Sequence, residues 1–230
     1  MMSPAHSRTT GLLILAFLVA VAVPYVALIE LFGYDDVLRD PPGAVLDQFA
    51  AAGTPLVLAW LGFALTALAF APLSRRIDRD SGLAAGWMGV ASAVAQGVGL
   101  ARWVFAVPAL AAAHASSDPA LRAGAEATFV ALHGFLGAGL GEVAGQSLLA
   151  AWTARVCLGL WRQGRRILSI SGAATLPLWC LGLTEPLATV IPGLPVIEAA
   201  PLAFTGWEVW LLALALGLLI DARRRTARSR

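Results

Sequence analysis

Arg102, His133, Glu142, Glu185 and Glu208 each interrupt a long run of apolar residues, and Glu30 stands at the edge of another. A titratable side chain is costly in such surroundings, so each needs a partner or a purpose. Arginine keeps its proton in essentially any protein site and offers only donors, whereas a carboxyl group can carry a proton or balance a cation. Set against ionised Glu185 and Glu208, Arg102 is outnumbered, so either one carboxyl is protonated or a cation binds beside them. Two readings follow. In one, an Arg–Glu pair stitches helices together and the spare carboxyl reaches water. In the other, these groups line an outward-facing polar site inside the membrane that takes a small ligand or cation.

Composition sets the class of protein. The 230 residues are 59% hydrophobic and 13% charged, with a mean hydropathy of +0.77, where soluble domains run at about 45–50% apolar and about 25% charged. All sixteen basic residues are arginine. The missing lysine excludes Schiff-base chemistry on a protein amine and a Walker phosphate loop. Cys157 and Cys180 lack CxxC spacing, which argues against a redox pair or a thiolate zinc site. Of His6, His114 and His133, only the last lies in an apolar run, which argues against haem held by two buried histidines. There is no GxSxG or HExxH motif. No catalytic residue, cofactor or metal is expected.

The elements that must position these groups are helices. Apolar runs of about 20 residues occur at 11–32, 54–73, 83–108, 128–151, 167–191 and 202–220. They predict an all-α protein forming a single transmembrane domain of six helices over residues 1–230. Twelve arginines fall in alternate segments: Arg8; Arg75, Arg76 and Arg79; Arg162, Arg165 and Arg166; and Arg223, Arg224, Arg225, Arg228 and Arg230. The intervening segments hold only Arg39 and Arg122, beside seven acids: Asp35, Asp36, Asp40, Asp47, Asp118, Glu126 and Glu198. Short arginine-rich segments stay cytoplasmic, so both termini are expected there. The first run exceeds the 7–15 residues of a signal-peptide core and reads as a retained span, although Ala20-Val21-Ala22 resembles a cleavage motif. The C-terminal arginines suit anionic lipid better than nucleic acid, which is not expected as a partner. Trp152 and Trp161 on one side and Trp103, Trp207 and Tyr34 on the other fit an interfacial belt. Trp60, Trp87 and Trp179 are expected to be packing residues.

Counting along the spans places Arg102, His133, Glu185 and Glu208 in one layer, about 8–9 Å below the outer helix ends at about 1.5 Å per residue. Glu30 lies just above it. In the fourth span Gly137, Gly141 and Gly145 form a double GxxxG, a surface for close approach by another helix, including one from a membrane partner or a second copy. Gln96, Glu142 and Gln146 are expected to cluster at greater depth. At α-helical pitch His133 and Glu142 lie on opposite sides of the helix, so they share a site only if the glycine-rich helix is broken. Pro24, Pro177 and Pro186 are expected to interrupt spans one and five. Broken helices often line transporter sites.

Leu100-Ala101-Arg102-Trp103-Val104 with Pro108, Glu126, Ala131-Leu132-His133, and Gly141-Glu142 with Gly145 together resemble an uncharacterised family of six-helix bacterial membrane proteins, a domain of unknown function. The resemblance covers most of the chain. It implies a bacterial inner-membrane protein, supplies no activity, and draws attention to Arg102, His133 and Glu142. The expected role is non-enzymatic, with a polar intramembrane site. The alternatives are a proton-coupled transporter using Glu142, Glu185 or Glu208, a lipid-modifying enzyme using His133 or a glutamate, and an accessory subunit docked through the glycine stripe.

Overall fold

Where water is excluded, backbone N–H and C=O groups must be satisfied within the chain, which favours helices in apolar sequence. The computed structural model describes residues 4–34, 36–82 and 86–228, and these are helical with no strand among them. Asp35, Arg230 and Leu83, the expected start of the third span, lie outside the described residues. Six segments are long and apolar enough to cross a membrane: His6–Phe32, Pro42–Ser81, Gly86–His114, Pro119–Arg162, Arg166–Ala188 and Ala200–Arg224.

Helix α1 (Pro4–Phe32) is continuous through Pro24, contrary to the expected interruption. A Cβ on Gly62 of α2 (Pro42–Ser81) would lie 3.4 Å from the Pro24 ring. The 40 residues of α2 bend at Gly53, whose φ of 61° and ψ of −146° belong to a region essentially reserved for glycine. The expected span begins just after this bend, but residues 42–52, expected as a polar connection, are also helical. The reason is their apolar stripe: Val45, Leu46 and Phe49 are buried, and Phe49 packs on Phe32 and Trp103.

The third segment is α3 (Gly86–Phe105) and α4 (Val107–His114). Pro108 cannot donate a backbone hydrogen bond, so α3 ends and α4 restarts with proline in its first turn. The fourth runs from α5 (Pro119–Leu132), capped by Asp118 Oδ1 accepting from the Ala120 amide at 2.8 Å, to α6 (Gly145–Arg162). Between them, His133–Ala144 is a π-helix of twelve residues, four of them glycine. The fifth is broken into α7 (Arg166–Ala173), α8 (Leu176–Gly182) and α9 (Thr184–Ala188), with Pro177 in the first turn of α8 and Pro186 inside α9. Helix α10 (Ala200–Arg228) completes the chain.

Two apolar cores hold these helices. One contains Phe32, Phe49, Trp60, Trp103 and Phe129, and the other Phe70, Trp152, Trp179, Trp207 and Trp210. Trp103, Trp152 and Trp207 are buried members of these cores, so their rings pack against protein where a belt residue would present its ring to lipid. Trp87 departs the other way: it is 62% exposed. Polar contacts tie both ends. At the arginine-rich end Arg165 pairs with Asp221 at 3.3 Å, and Gln163 donates to the Asp80 carbonyl at 2.9 Å. At the opposite end Arg39 pairs with Glu185 at 2.9 Å.

Helix α3 and the π-helix approach each other closely. A Cβ on Gly99 would meet the Leu136 carbonyl oxygen at 2.7 Å and the Gly141 Cα at 3.0 Å. Gly137 and Gly145 face Arg102 and Gln96, so the fourth-span glycines admit this chain's own third span. Gly99→Ala should therefore lower stability by about 1–3 kcal/mol, because the obstructing atoms are backbone. Gly124→Ala, in open space on α5, should be neutral or gain up to about 1 kcal/mol. Unfolding of the two variants in detergent checks this ranking.

Candidate functional site

Arg102 stands near the end of α3 and is only 6% exposed. Its Nη1 donates to the Gly99 carbonyl of its own helix. Its Nη2 lies 3.4 Å from His133 Nδ1. Because arginine has no acceptor, this contact requires His133 to accept at Nδ1 and to carry its ring proton on Nε2. The guanidinium also lies over Trp103, 5.2 Å from the ring centroid. Its space is created by Gly137, where a Cβ would approach Nη2 to 2.6 Å. Glu142 lies within electrostatic range of the guanidinium, as does Tyr34, whose neutral hydroxyl brings a dipole and no charge. Arg102 Nε has no hydrogen-bond acceptor among the described residues.

The π-helix accounts for how one cation contacts His133 and also lies within electrostatic range of Glu142. Nine residues separate them, which at α-helical pitch means about 180° around the axis. A π turn closes i→i+5 bonds and holds about 4.4 residues, so the same nine residues return to within about 20° of one face. The widened helix thus removes the obstacle that regular pitch imposes. Glycine suits this segment because Cβ atoms are absent where α3 presses against it: the Gly141 Cα would lie 3.0 Å from a Cβ on Gly99.

An aromatic floor supports the site. Trp60 and Trp103 stack at 4.7 Å with an interplanar angle of 6°, both fully buried. His133 stacks on Phe129 at 5.6 Å and meets the edge of Trp103 at 6.3 Å. Neither indole N–H has an acceptor among the described residues.

Other expected members of the layer lie elsewhere. Glu185 turns to Arg39 at 2.9 Å, and Glu198 lies 3.7 Å from the same arginine. The reason is the broken fifth segment: α9 is a five-residue helix, so a depth counted along one straight helix does not apply to it. Glu208 is half-buried on α10, with no hydrogen bond or ion pair among the described residues, and Glu30 is exposed on α1. Gln96 Nε2 donates to Ser92 Oγ at 2.9 Å, which donates to the Gly145 carbonyl at 2.8 Å. Gln96 is thereby tied through Ser92 to the fourth segment at the Gly145 carbonyl, a contact outside the expected cluster of Gln96, Glu142 and Gln146. Gln146 is buried, its Oε1 without a donor among the described residues.

Two polar groupings are additional. His114 is buried between Asp47 of α2 at 3.3 Å and Glu126 of α5 at 3.4 Å. Asp78 is buried and Asp80 half-buried at the arginine-rich end of α2, with Asp80 4.0 Å from His6. The signal for the first was the helical stripe beginning at Pro42, which carries Asp47 toward α4. The signal for the second was an acidic pair amid Arg75, Arg76 and Arg79, where the other acids favour the opposite end. Among the described residues no group of three or more His, Cys, Asp or Glu side chains is arranged to hold a metal ion.

Coupling between Arg102 and Glu142 is measurable. Arg102→Gln and Glu142→Gln should each destabilise the protein, and the double variant should cost less than their sum by about 0.5–3 kcal/mol. Strict additivity in unfolding measurements would show that the two groups do not interact.

No curated protein and no solved structure matches this chain. A family match covers residues 9–216, and it takes in Arg102, the π-helix and both cores apart from Leu218. By that match the chain belongs to the family described as Domain of unknown function (DUF4386).

Proposed function

We propose that this protein is a non-enzymatic, multi-pass protein of the bacterial cytoplasmic membrane that binds a small ligand at Arg102, His133 and Glu142. The observation that carries the reading is the twelve-residue π-helix, which turns two polar residues of one span toward a cation on another. π-helical turns are rare and occur frequently at functional sites. A purely structural ion pair needs no such winding, since a glutamate placed one α-helical turn from His133 would serve.

The chemistry favours an acceptor-bearing ligand. Among the described residues the guanidinium retains an unused Nε–H donor, and the carboxylate that acts on it electrostatically is that of Glu142. A small carboxylate or phosphate matches a planar donor fork, whereas a free metal cation would be repelled by Arg102. The cation alternative within the original layer loses its support because Glu185 is engaged with Arg39.

The test is thermal stabilisation of purified protein by a panel of small carboxylates and by inorganic phosphate. At least one should raise the unfolding temperature of the wild type and leave Arg102→Gln unmoved. If no compound shifts the wild type, or if both proteins shift equally, the reading fails. The arginine distribution supports cytoplasmic termini. Alkaline phosphatase fused after Ser117 should be active, and green fluorescent protein at the C-terminus should fluoresce. The reverse pattern would invert the orientation.

A further inference from the structure

A groove of about 550 Å³ runs along the surface between α3 and the fourth segment. Its walls are almost wholly apolar: Val90, Val94 and Val98 from α3 face Leu140 and Leu148 across it. Arg75 and Trp87 also line it, and both are exposed. From Trp87 to Val98 the groove spans about 16 Å at 1.5 Å per residue, roughly half the thickness of a bilayer core. Arg75 lies at the arginine-rich end, and no carboxylate of the described residues pairs with it. One end thus offers an unneutralised cation and an aromatic ring, and the rest a dry channel one chain wide.

The geometry points to a bound phospholipid with an anionic headgroup, its phosphate at Arg75, its glycerol region beside Trp87, and one acyl chain along Val90, Val94 and Val98. Exposed arginine near the cytoplasmic surface attracts anionic lipid, and tryptophan favours the headgroup level. An acyl chain matches the remaining walls in both polarity and length. Because Leu140 and Ala144 belong to the π-helix, the lipid covers the outward face of the segment that presents His133 and Glu142 to Arg102. This inference shares with the proposed function only the membrane orientation, which the fusion reporters test separately, and it does not depend on a ligand at Arg102.

The experiment uses dioleoyl phosphatidylglycerol and dioleoyl phosphatidylcholine, identical in their chains. Each is titrated into delipidated full-length protein, and the lipid retained is counted by native mass spectrometry. The wild type should hold one phosphatidylglycerol with roughly fivefold preference over phosphatidylcholine. Arg75→Gln should abolish the preference while leaving chain-driven binding. Val94→Trp, at an exposed groove position, should reduce retention of both lipids severalfold. Arg79→Gln, exposed nearby but not lining the groove, should leave the preference intact. The proposal is overturned if Arg75→Gln keeps the preference, if Arg79→Gln removes it equally, or if Val94→Trp retains both lipids like the wild type. Each variant must first elute as a single species before titration, so a folding failure is recognised independently.

Discussion

An arginine that can neither shed its proton nor reach bulk water must have its charge and its donors met by the surrounding chain. Arg102 is in that position, and much of the local architecture follows from it. One donor turns back to the Gly99 carbonyl, and another faces His133. The guanidinium fits because residue 137 has no side chain. Glu142 lies within electrostatic range, and the backbone between it and His133 is wound more widely than an α-helix, which at π pitch brings the two positions toward one face. That winding is compatible with packing because α3 presents a bare glycine to it. Removal of any member leaves another unsatisfied, which is why the group is best regarded as one unit.

The other charges serve the ends of the molecule. Arg39 draws together the short helix after α1, the broken fifth segment and the connection into α10. His114 joins α4 to α2 and α5. These contacts fix the elements whose own backbone is discontinuous. The long unbroken helices instead rely on tryptophan and phenylalanine packing, as between Phe70, Trp152 and Trp207. Irregular backbone and polar pairing coincide, as expected where short helices bury too little apolar surface to be held by packing alone.

The long elements were legible from hydropathy because a run of about 20 apolar residues has few alternatives to a helix. Arg102 and His133 were legible as a pair of interest from their cost in apolar surroundings. The convergence of Glu142 was not, because helical-wheel reasoning assumes one pitch throughout and HGFLGAGLGEVA does not keep it. Glycine richness marked the segment as permissive without specifying how it would wind. Glu185 was misplaced for a related reason, since counting residues along a straight axis ignores the breaks near Thr175 and Leu183. Tryptophan position was equally ambiguous. Sequence depth assigned Trp103 to an interface, whereas its stacking with Trp60 depends on how two segments pack.

The π-helix also has a mechanical consequence. Twelve residues at about 4.4 per turn describe roughly 2.7 turns, against about 3.3 at α-helical pitch. Restoring regular pitch would rotate α5 relative to α6 by more than half a revolution. That rotation is opposed at one end by Glu126 beside His114, and at the other by Trp207 donating to Thr153 at 3.1 Å. The fourth segment is therefore an under-wound shaft held at both ends, with the residues around Arg102 lying between the two clamps.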